Sequence, residues 1–269
     1  MPKLTVLVDN QATIPGMSIQ HGLSIWLESG ASRILFDTGL DSIFMENALA
    51  LDIQVTTATH LLLSHGHYDH TGGVPELLNQ GAHPTLVIGP EAWNQRRSTH
   101  PIGINWSPEI LGDLTVIINR NAYNIEPGII AINIGSRSDV ALKHLKLQRL
   151  VDGQWEPDTF PDEQILILRT TEGLVVITGC THCGVDALIS CVERSAGDTP
   201  IYAIIGGLHL FESTHESIME TAEKLRDIKH VWVNHCTGPK SFNKLREILG
   251  AQIEWAGAGF SAILPPLIL

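Results

Sequence analysis

The stretch Ser64-His65-Gly66-His67-Tyr68-Asp69-His70-Thr71-Gly72-Gly73 decides how this sequence is interpreted. It follows residues 59–63, an apolar run with the length and composition of a buried strand. Three imidazoles and one carboxylate within six residues are ligand types that suit Zn, Fe or Mn rather than Ca. The alternative is a surface loop that is rich in histidine by chance, but such loops do not usually follow a buried strand. The stretch therefore predicts a metal site.

The spacing of the ligands within this stretch favours two metal ions over one. His65, His67 and Asp69 stand at alternate positions, and in a tight segment they cannot all reach one ion comfortably. His70 adds a fourth ligand directly after Asp69. Two ions about 3.5–4 Å apart can hold a shared water, lower its pKa towards neutrality and stabilise a developing oxyanion. We therefore expect two divalent ions, with Zn as the favoured metal and Mn or Fe as alternatives.

Composition and charge exclude several functional classes. The chain has 269 residues, of which 43% are hydrophobic and 17% are charged, and these fractions fit a folded enzyme rather than a disordered chain. Its formal net charge is -12, and it contains no run of Lys and Arg that could track a phosphate backbone. An acidic protein can still bind an anionic small molecule when metal ions supply positive charge. We expect a small, phosphorylated substrate and no nucleic-acid partner.

The termini and the cysteines predict a cytoplasmic protein with no membrane partner. Residues 1–10 have the pattern of a strand rather than that of a signal peptide. No apolar run approaches the roughly 18 residues that a membrane-spanning helix requires. Cys180, Cys183, Cys191 and Cys236 are few and unevenly placed, which does not resemble the disulfide framework of a secreted protein.

Hydrophobic periodicity predicts strands and helices at both ends of the chain. In the first third, the predicted strands are 4–8, 22–27, 33–36, 59–63 and 85–88, and the predicted helices are 41–51, with Asp41 as N-cap, and 74–80. In the last third, the predicted strands are 164–169, 174–178, 201–205 and 231–233. Three helices are predicted there from apolar residues on one face: Val185, Leu188, Ile189 and Val192; Ile218, Ala222 and Leu225; and Phe242, Leu245 and Leu249. A capping box of Ser213 and Glu216 precedes the second of these helices. This order favours a four-layer αββα sandwich of the α/β (α+β) class.

The middle of the chain has a different character. Residues 93–162 contain polar and Pro/Gly-rich stretches and two apolar runs. We interpret this segment as an insertion or cap over the core of one domain that spans residues 1–269.

The histidine stretch resembles the signature of the metallo-β-lactamase superfamily. That resemblance implies an αββα sandwich with the metal site at one edge, between the sheets. A group of further motifs recurs in one branch, that of the archaeal and bacterial dihydropterin-type synthases. These motifs are Leu7-Val8-Asp9-Asn10, His21-Gly22-Leu23-Ser24, Leu35-Phe36-Asp37-Thr38-Gly39, Thr178-Gly179-Cys180-Thr181-His182, Gly206-Gly207-Leu208-His209-Leu210 and His235-Cys236-Thr237-Gly238.

The resemblance also implies how the ligands are shared. His65 and His67 would hold one metal, and Asp69 and His70 would hold the other. His235, which follows an apolar strand, matches the last ligand of the superfamily, on the second metal. The turn at residues 36–39 would support the metal loop.

This sequence departs from the superfamily pattern at two ligand positions. Members usually carry a bridging Asp after a strand such as 174–178, but Cys180 stands there and His182 lies two residues on. We favour His182 as a ligand and keep Cys180 as an alternative that does not exclude it, because thiolate sulfur binds Zn well. A buried thiol that only packs is the structural interpretation of Cys180.

The usual third ligand of the first metal, a His about twenty residues upstream, is replaced by Asp162, Glu163 and Gln164. Glu163 is predicted as a substitute ligand, as a hydrogen-bonding support or as a solvated residue.

Asp69 and His209 are the predicted catalytic residues. In phosphodiesterase-like relatives, a non-ligand histidine at the place of His209 acts on the leaving group or the substrate, and an edge histidine without function is the alternative. His21 is a weaker candidate for facing the site. Three basic residues could contact phosphate oxygens, although each is more often a surface charge: Lys240, Arg96 and Arg97. The remaining histidines carry no supporting pattern and are predicted as surface or structural residues: His60, His83, His100, His144, His215 and His230.

Three functions remain open at the level of sequence. The first is a metal-dependent hydrolase or transferase with a binuclear site, acting on a small phosphorylated substrate. The resemblance extends this to a condensation in which a carbon of an aminobenzene ring displaces pyrophosphate from a dihydropterin. The second is a di-iron oxidoreductase, although such members usually carry a flavin domain, for which this chain has no room. The third is a non-catalytic metal- or ligand-binding regulator, whose hallmark would be a lost metal ligand.

Overall fold

Two seven-stranded sheets lie at the centre of the structure, a computed structural model that describes residues 1–135 and 146–268. Residues 136–145 of the predicted cap, which include His144, lie outside the described residues. The strands are β1 (Lys3–Val8), β2 (Ser24–Ser29), β3 (Ser32–Phe36), β4 (His60–Leu62), β5 (Thr85–Ile88), β6 (Arg96–Arg97), β7 (Val116–Ile118), β8 (Ala122–Glu126), β9 (Ile129–Asn133), β10 (Gln148–Val151), β11 (Gln154–Pro157), β12 (Gln164–Thr170), β13 (Gly173–Ile177), β14 (Ile201–Gly206), β15 (His230–Val233), β16 (Ile253–Trp255) and β17 (Ser261–Ile263). The α-helices are α1 (Ile43–Ala50), α2 (Tyr68–Thr71), α3 (Val74–Asn79), α4 (Val185–Ala196), α5 (His215–Leu225) and α6 (Pro239–Leu249).

The two sheets and the helices form four layers. The first sheet has the strand order β17-β1-β2-β3-β4-β5-β7, and the second has the order β16-β15-β14-β13-β12-β9-β8. One apolar cluster lies between the sheets, a second lies between the first sheet and helices α1 and α3, and a third lies between the second sheet and helices α4, α5 and α6. The predicted αββα sandwich is therefore confirmed.

Strand β12 shows why the sequence forms this layered core. Ile165 and Ile167 point towards the helices, whereas Leu166 and Leu168 point towards the other sheet. Because side chains alternate between the two faces of a strand, a strand buried on both faces must be apolar at every position. The run of consecutive apolar residues in β12 is therefore what a central strand of this sandwich requires.

Only part of the segment 93–162 stands apart from the sandwich. Strand β7 extends the first sheet, and strands β8 and β9 extend the second. Strands β6, β10 and β11 form a separate three-stranded sheet. Among the described residues, no helix is both long and apolar enough to cross a membrane.

The predicted caps of two helices are each displaced by one residue. Ser42, rather than Asp41, precedes α1, and Asp41 instead accepts a hydrogen bond from the Ile43 N–H at 3.0 Å. Thr214, rather than Ser213, caps α5, because its hydroxyl accepts the Ser217 N–H at 3.2 Å. Both corrections arise because Asp, Ser and Thr side chains compete for the same free N–H groups at a helix start.

The strand ends bring the predicted site residues to one edge of the sandwich. Strands β3, β4 and β5 run parallel, as do β13, β14 and β15. Parallel strands end at the same edge of a sheet, where ligand sites of α/β proteins commonly lie. The loops after these strands carry Asp37, His65, Cys180, His209 and His235.

Candidate metal centre

Three buried histidines form the first group of metal-ligating atoms. The side-chain nitrogens of His65, His67 and His182 lie within 4.8 Å of one another. The Nε2 atoms of His65 and His182 are 3.2 Å apart. Burial, followed by repulsion from neighbouring histidines, keeps the pKa of each of these three imidazoles well below its usual value, and Arg96 adds to this effect at His65 and His67. Neutral imidazole is the form that binds metal.

A second group lies beside the first and contains the remaining predicted ligands. Asp69 Oδ2 lies 3.4 Å from His235 Nε2 and 3.9 Å from His70 Nε2. The Nε2 atoms of His70 and His235 are 3.3 Å apart. His21 joins this group from the surface, with its Nε2 atom 3.1 Å from Asp69 Oδ2. The fold thus brings all six predicted metal ligands together, and it adds His21, which the sequence indicated only weakly.

Carboxylate and amide oxygens fix the orientation of the histidine rings. His70 Nδ1 donates to Asp37 Oδ2 at 2.7 Å, and His235 Nδ1 donates to Asn10 Oδ1 at 3.1 Å. Ser64 Oγ also donates to Asp37 Oδ2 at 2.7 Å, so it accepts from His65 Nδ1 at 2.9 Å. Each of these rings therefore turns its Nε2 atom towards the centre of the site, which is the arrangement that orients ligating histidines.

The donor set fits divalent metal ions. In a tetrahedral Zn site with Zn–N bonds of about 2.0–2.1 Å, two ligating nitrogens are separated by about 3.3 Å. The pairs of Nε2 atoms in the two groups, at 3.2 and 3.3 Å, have this separation. Among the described residues, the buried atom His67 Nε2 is one that has no hydrogen-bond partner. Without a cation, this nitrogen would stay buried and unpaired at a cost.

The charge balance of His70 shows how strongly its surroundings favour a cation. Burial alone would lower the pKa of His70, but the Asp37 and Asp69 carboxylates outweigh it and raise the pKa to about 9. Asp69 is also buried, yet its pKa stays well below the usual value because of His70, His21 and His235. A proton or a metal ion is therefore needed between these histidines and the two carboxylates.

Glu163 supports the backbone beside His182 and belongs to none of the groups of donor atoms found among the described residues. Its two carboxylate oxygens accept the backbone N–H groups of His182 and Cys183, at 2.6 and 2.8 Å. Burial raises the pKa of Glu163 to about 7, although these hydrogen bonds oppose that shift. Of the alternatives open at the level of sequence, the hydrogen-bonding support is the one that agrees with the structure.

Arg96 is neither an exposed surface charge nor free to contact phosphate, the two possibilities that the sequence left open. Its guanidinium is buried and is paired with Asp158 at 2.8 Å and with Asp162 at 2.6 Å. Asp162 in turn accepts the backbone N–H of Gly66 at 2.6 Å, inside the metal loop. Sequence reasoning missed this network because residue type alone does not reveal that an arginine is buried. Lys240 lies exposed in the first turn of α6.

His209 and Phe160 complete the wall around His182. The Phe160 ring stacks on the His182 ring, with centroids 3.9 Å apart and an interplanar angle of 8°. The His209 ring lies on another side of His182, at 4.4 Å between centroids. Burial opposes protonation of His209, but a hydrogen bond with the Cys236 side chain outweighs it and raises the pKa of His209. His209 therefore adjoins the donor atoms without being one of the six predicted ligands.

Five residues around the site have left-handed backbone conformations, although none is glycine. Their φ angles are 60° at Asp37, 49° at Phe160, 58° at Thr181, 48° at His209 and 45° at His235. Such conformations cost on the order of 1–3 kcal/mol each and persist where surrounding contacts over-determine them. At Asp37 those contacts are the hydrogen bonds from Ser64 and His70, and at His235 one is the bond from its N–H to Asp9 at 2.6 Å.

A cavity of about 740 Å³ borders the metal loop on the side of the small sheet. Tyr68, which directly follows His67, lines it, and Gly103 lines it and pairs with His67 in an isolated β-bridge. Arg97 also lines the cavity, with its guanidinium carbon 4.1 Å from the centre of the Trp155 ring. The cavity therefore offers a cation and aromatic surface next to the first group of ligands.

Comparisons with known proteins show which sequences and folds this chain is similar to. The family model of the metallo-beta-lactamase superfamily matches residues 20–105. The 7,8-dihydropterin-6-methyl-4-(beta-D-ribofuranosyl)-aminobenzene-5'-phosphate synthase of Methanocaldococcus jannaschii is 29% identical over 261 residues, which cover 89% of this chain and 88% of the relative. The crystal structure of Tm1679, a metal-dependent hydrolase of the beta-lactamase superfamily, is 28% identical with a TM-score of 0.87, and the match covers 98% of this chain and 100% of that one.

A more distant structure shares the fold alone. The crystal structure of a diphosphatase from the PhnP family has a TM-score of 0.56 and 14% identity, over 100% of both chains. The family match includes the whole metal loop, and the relatives at 28–29% identity extend the likeness across both sheets. The chain therefore resembles the metallo-β-lactamase superfamily in the sequence of its metal loop and in its whole fold.

Proposed function

We propose that this protein is an enzyme that uses two divalent metal ions, with Zn first and Mn or Fe as alternatives, to transform a small phosphorylated substrate. The observation that carries the proposal is the pair of adjoining donor groups, each with two Nε2 atoms at a separation that fits a shared cation. His65, His67 and His182 would hold the first ion. Asp69, His70 and His235 would hold the second.

The chain's own residues supply the other requirements of catalysis. When bound, the two ions would act as Lewis acids that neutralise negative charge on substrate oxygens. Asp69, which contacts His21 and His235, would hold the second group of ligands in position beside the first group. His209, which stands beside His182, would exchange a proton with the leaving group or the substrate.

The cavity beside Tyr68 would hold the organic part of the substrate. Trp155 and Tyr68 provide flat surfaces for a ring, and Arg97 provides a positive charge for a phosphate. The name of the Methanocaldococcus jannaschii relative describes a synthase that joins a dihydropterin to a phosphorylated aminobenzene. We extend a reaction of this type to this chain: the C–O bond between the pterin methylene carbon and pyrophosphate breaks, that carbon forms a bond to the aminobenzene nucleophile, and the nucleophile loses a proton.

Elemental analysis combined with an activity screen tests the proposal. Protein purified without added metal or chelator should contain about two equivalents of metal, and the His182→Ala variant should contain fewer. Hydrolysis of phosphoesters and displacement of pyrophosphate from a dihydropterin ester should then be measured with both proteins. His83→Ala is the matched control, because His83 is an exposed histidine that pairs with Asp113 and belongs to neither group of predicted ligands.

The outcomes separate the proposed enzyme from a metal-binding regulator. Two equivalents with turnover of either substrate class would support the enzyme. Two equivalents without turnover of either class would favour a metal-binding regulator. One equivalent or none, unchanged in His182→Ala, would contradict the binuclear centre.

A further inference from the structure

Cys180 lies between the two groups of predicted metal ligands. Its sulfur is 3.2 Å from His70 Nε2 and is within 4.8 Å of a donor atom of His65. The same sulfur is within 4.8 Å of His182 in one set of donor atoms and of His235 in another. Among the described residues in these sets that are not one of the six predicted ligands, Cys180 is the one that adjoins ligands of both ions.

The backbone around Cys180 is built to bring its sulfur to this position. Gly179 connects strand β13 to Cys180, and a Cβ atom on Gly179 would lie 2.2 Å from the Ser64 hydroxyl. The absence of a side chain therefore lets the end of β13 pack directly against the metal loop. The N–H of Gly207 donates to the Gly179 carbonyl at 2.8 Å and holds the turn in place.

The other thiols are less well placed to serve both ions. Cys183 and Cys191 belong to the apolar cluster between the second sheet and its helices. Cys236 shares a set of donor atoms with Cys180 and His235, but with none of His65, His67 and His182. It lies where Gly207 leaves space, since a Cβ atom on Gly207 would be 2.4 Å from the Cys236 sulfur.

We propose that the Cys180 sulfur is a ligand shared by the two metal ions, so that the centre selects thiophilic cations such as Zn, Fe(II) or Cd over Mg and Mn. This inference rests on the metal centre of the proposed function. On binding, the Cys180 thiol gives its proton to solvent and forms sulfur–metal bonds, with no change in oxidation state. Thiolate is a soft ligand, and its presence beside imidazole and carboxylate shifts affinity towards softer ions.

Titration of the metal-free protein with Cd(II) tests the inference, because thiolate coordination of Cd produces a charge-transfer absorption in the ultraviolet. The wild type and three variants, Cys180→Ser, Cys236→Ser and Cys191→Ser, should be titrated in parallel, with bound metal counted by elemental analysis. Cys191→Ser is the matched control, because Cys191 is a buried thiol away from the site. We expect the absorption in all proteins except Cys180→Ser. That variant should also lose the preference for Cd over Mn by about 10-fold or more.

X-ray absorption of the Zn-loaded wild type provides a measurement that needs no variant to fold. It should show a sulfur neighbour at about 2.3 Å from Zn. Two bound equivalents with no sulfur neighbour and no charge-transfer absorption would overturn the inference while the proposed binuclear centre stood. Absorption that survives in a folded Cys180→Ser, or that disappears in Cys236→Ser, would also overturn it. A wild type that binds no metal would overturn both proposals.

Discussion

At the scale of single residues, Asp37 fixes the metal loop through hydrogen bonds that its carboxylate accepts. One of its oxygens accepts from His70 Nδ1 and from the Ser64 hydroxyl, each at 2.7 Å, and the other accepts the Ser64 N–H at 2.7 Å. These bonds set the orientation of His70 directly and that of His65 through Ser64. One buried carboxylate thus orients a ligand of each proposed ion.

Asp37→Asn should therefore weaken metal binding without changing any ligand. The amide keeps the shape of the carboxylate but loses its charge and one of its acceptors, so His70 is held less firmly and is a poorer ligand. We expect a 10–100-fold loss of metal affinity, the usual effect of removing such a support. Competition with a chromophoric chelator measures it. Asp113→Asn is the control, since it removes an exposed Asp–His pair of similar length, 3.0 Å. Equal affinity in both variants would contradict this role of Asp37.

Single residues also show what the sequence could and could not predict about the site. The ligand candidates His65, His67, Asp69 and His70 could be predicted because a dense pattern of imidazoles and a carboxylate follows a buried strand. The role of Glu163 was not, because a carboxylate that accepts two N–H groups and one that binds a metal have the same sequence. Only the fold shows that both of its oxygens are occupied.

At the scale of elements, the start of helix α5 depends on one hydroxyl. Thr214 accepts the Ser217 N–H, whereas the neighbouring Ser213 uses its own N–H in a turn to the Leu210 carbonyl. Because α5 follows the loop that carries His209, its first turn also fixes the end of that loop. The cap therefore lies where the loop that carries His209 ends.

Thr214→Ala should destabilise the protein, and Ser213→Ala should not. Removing an N-cap hydroxyl costs about 1 kcal/mol, which corresponds to a fall in Tm of roughly 2–4 °C for a chain of this size. Replacement of Ser213 should stay within about 0.5 kcal/mol. Urea unfolding of the two variants measures both values. If Ser213→Ala proved the more damaging change, the capping box predicted from the sequence would be right after all.

Element boundaries were predictable wherever a strand or helix shows a strong local pattern. Strand β5 begins and ends at the predicted residues 85 and 88. The sheet membership of β7, β8 and β9 was not predictable, because pairing joins segments that are distant in sequence. Local periodicity shows that such a segment is a strand, but it does not show which sheet completes it.

At the scale of the whole molecule, a buried ion network joins the small sheet to the metal loop. Arg96 of β6 pairs with Asp158 and Asp162, and Asp162 accepts the Gly66 N–H beside two predicted ligands. Burial acts to lower the pKa of Arg96, but the two carboxylates outweigh it and raise the pKa. The guanidinium therefore stays charged, and its removal would leave two carboxylates buried without a counter-ion.

Arg96→Met should accordingly destabilise the fold by about 3–5 kcal/mol, the usual cost of breaking a buried ion pair by removing one partner. The metal affinity should fall as well, because Asp162 would no longer be held against the Gly66 N–H. Urea unfolding and metal competition provide the two readouts. Arg97→Met is the control: Arg97 is only half-buried, and it bonds Gln148 and stacks on Trp155. A loss of stability no larger than that of the control would show that the network contributes little.

Metal removal should affect the stability of the whole molecule, because the proposed ligands come from loops of both sheets and tie the two halves together. Ions that bind only the folded state stabilise it by RT ln(1 + [L]/Kd), about 2.7 kcal/mol when the free ion is at 100 times Kd. For a chain of this length, that amounts to a rise in Tm of roughly 5–10 °C. Thermal unfolding with and without chelator measures the shift, which should shrink in His182→Ala and persist in His83→Ala. Equal melting temperatures for the chelated and metal-loaded wild type would mean that the two sheets are held by their apolar core alone.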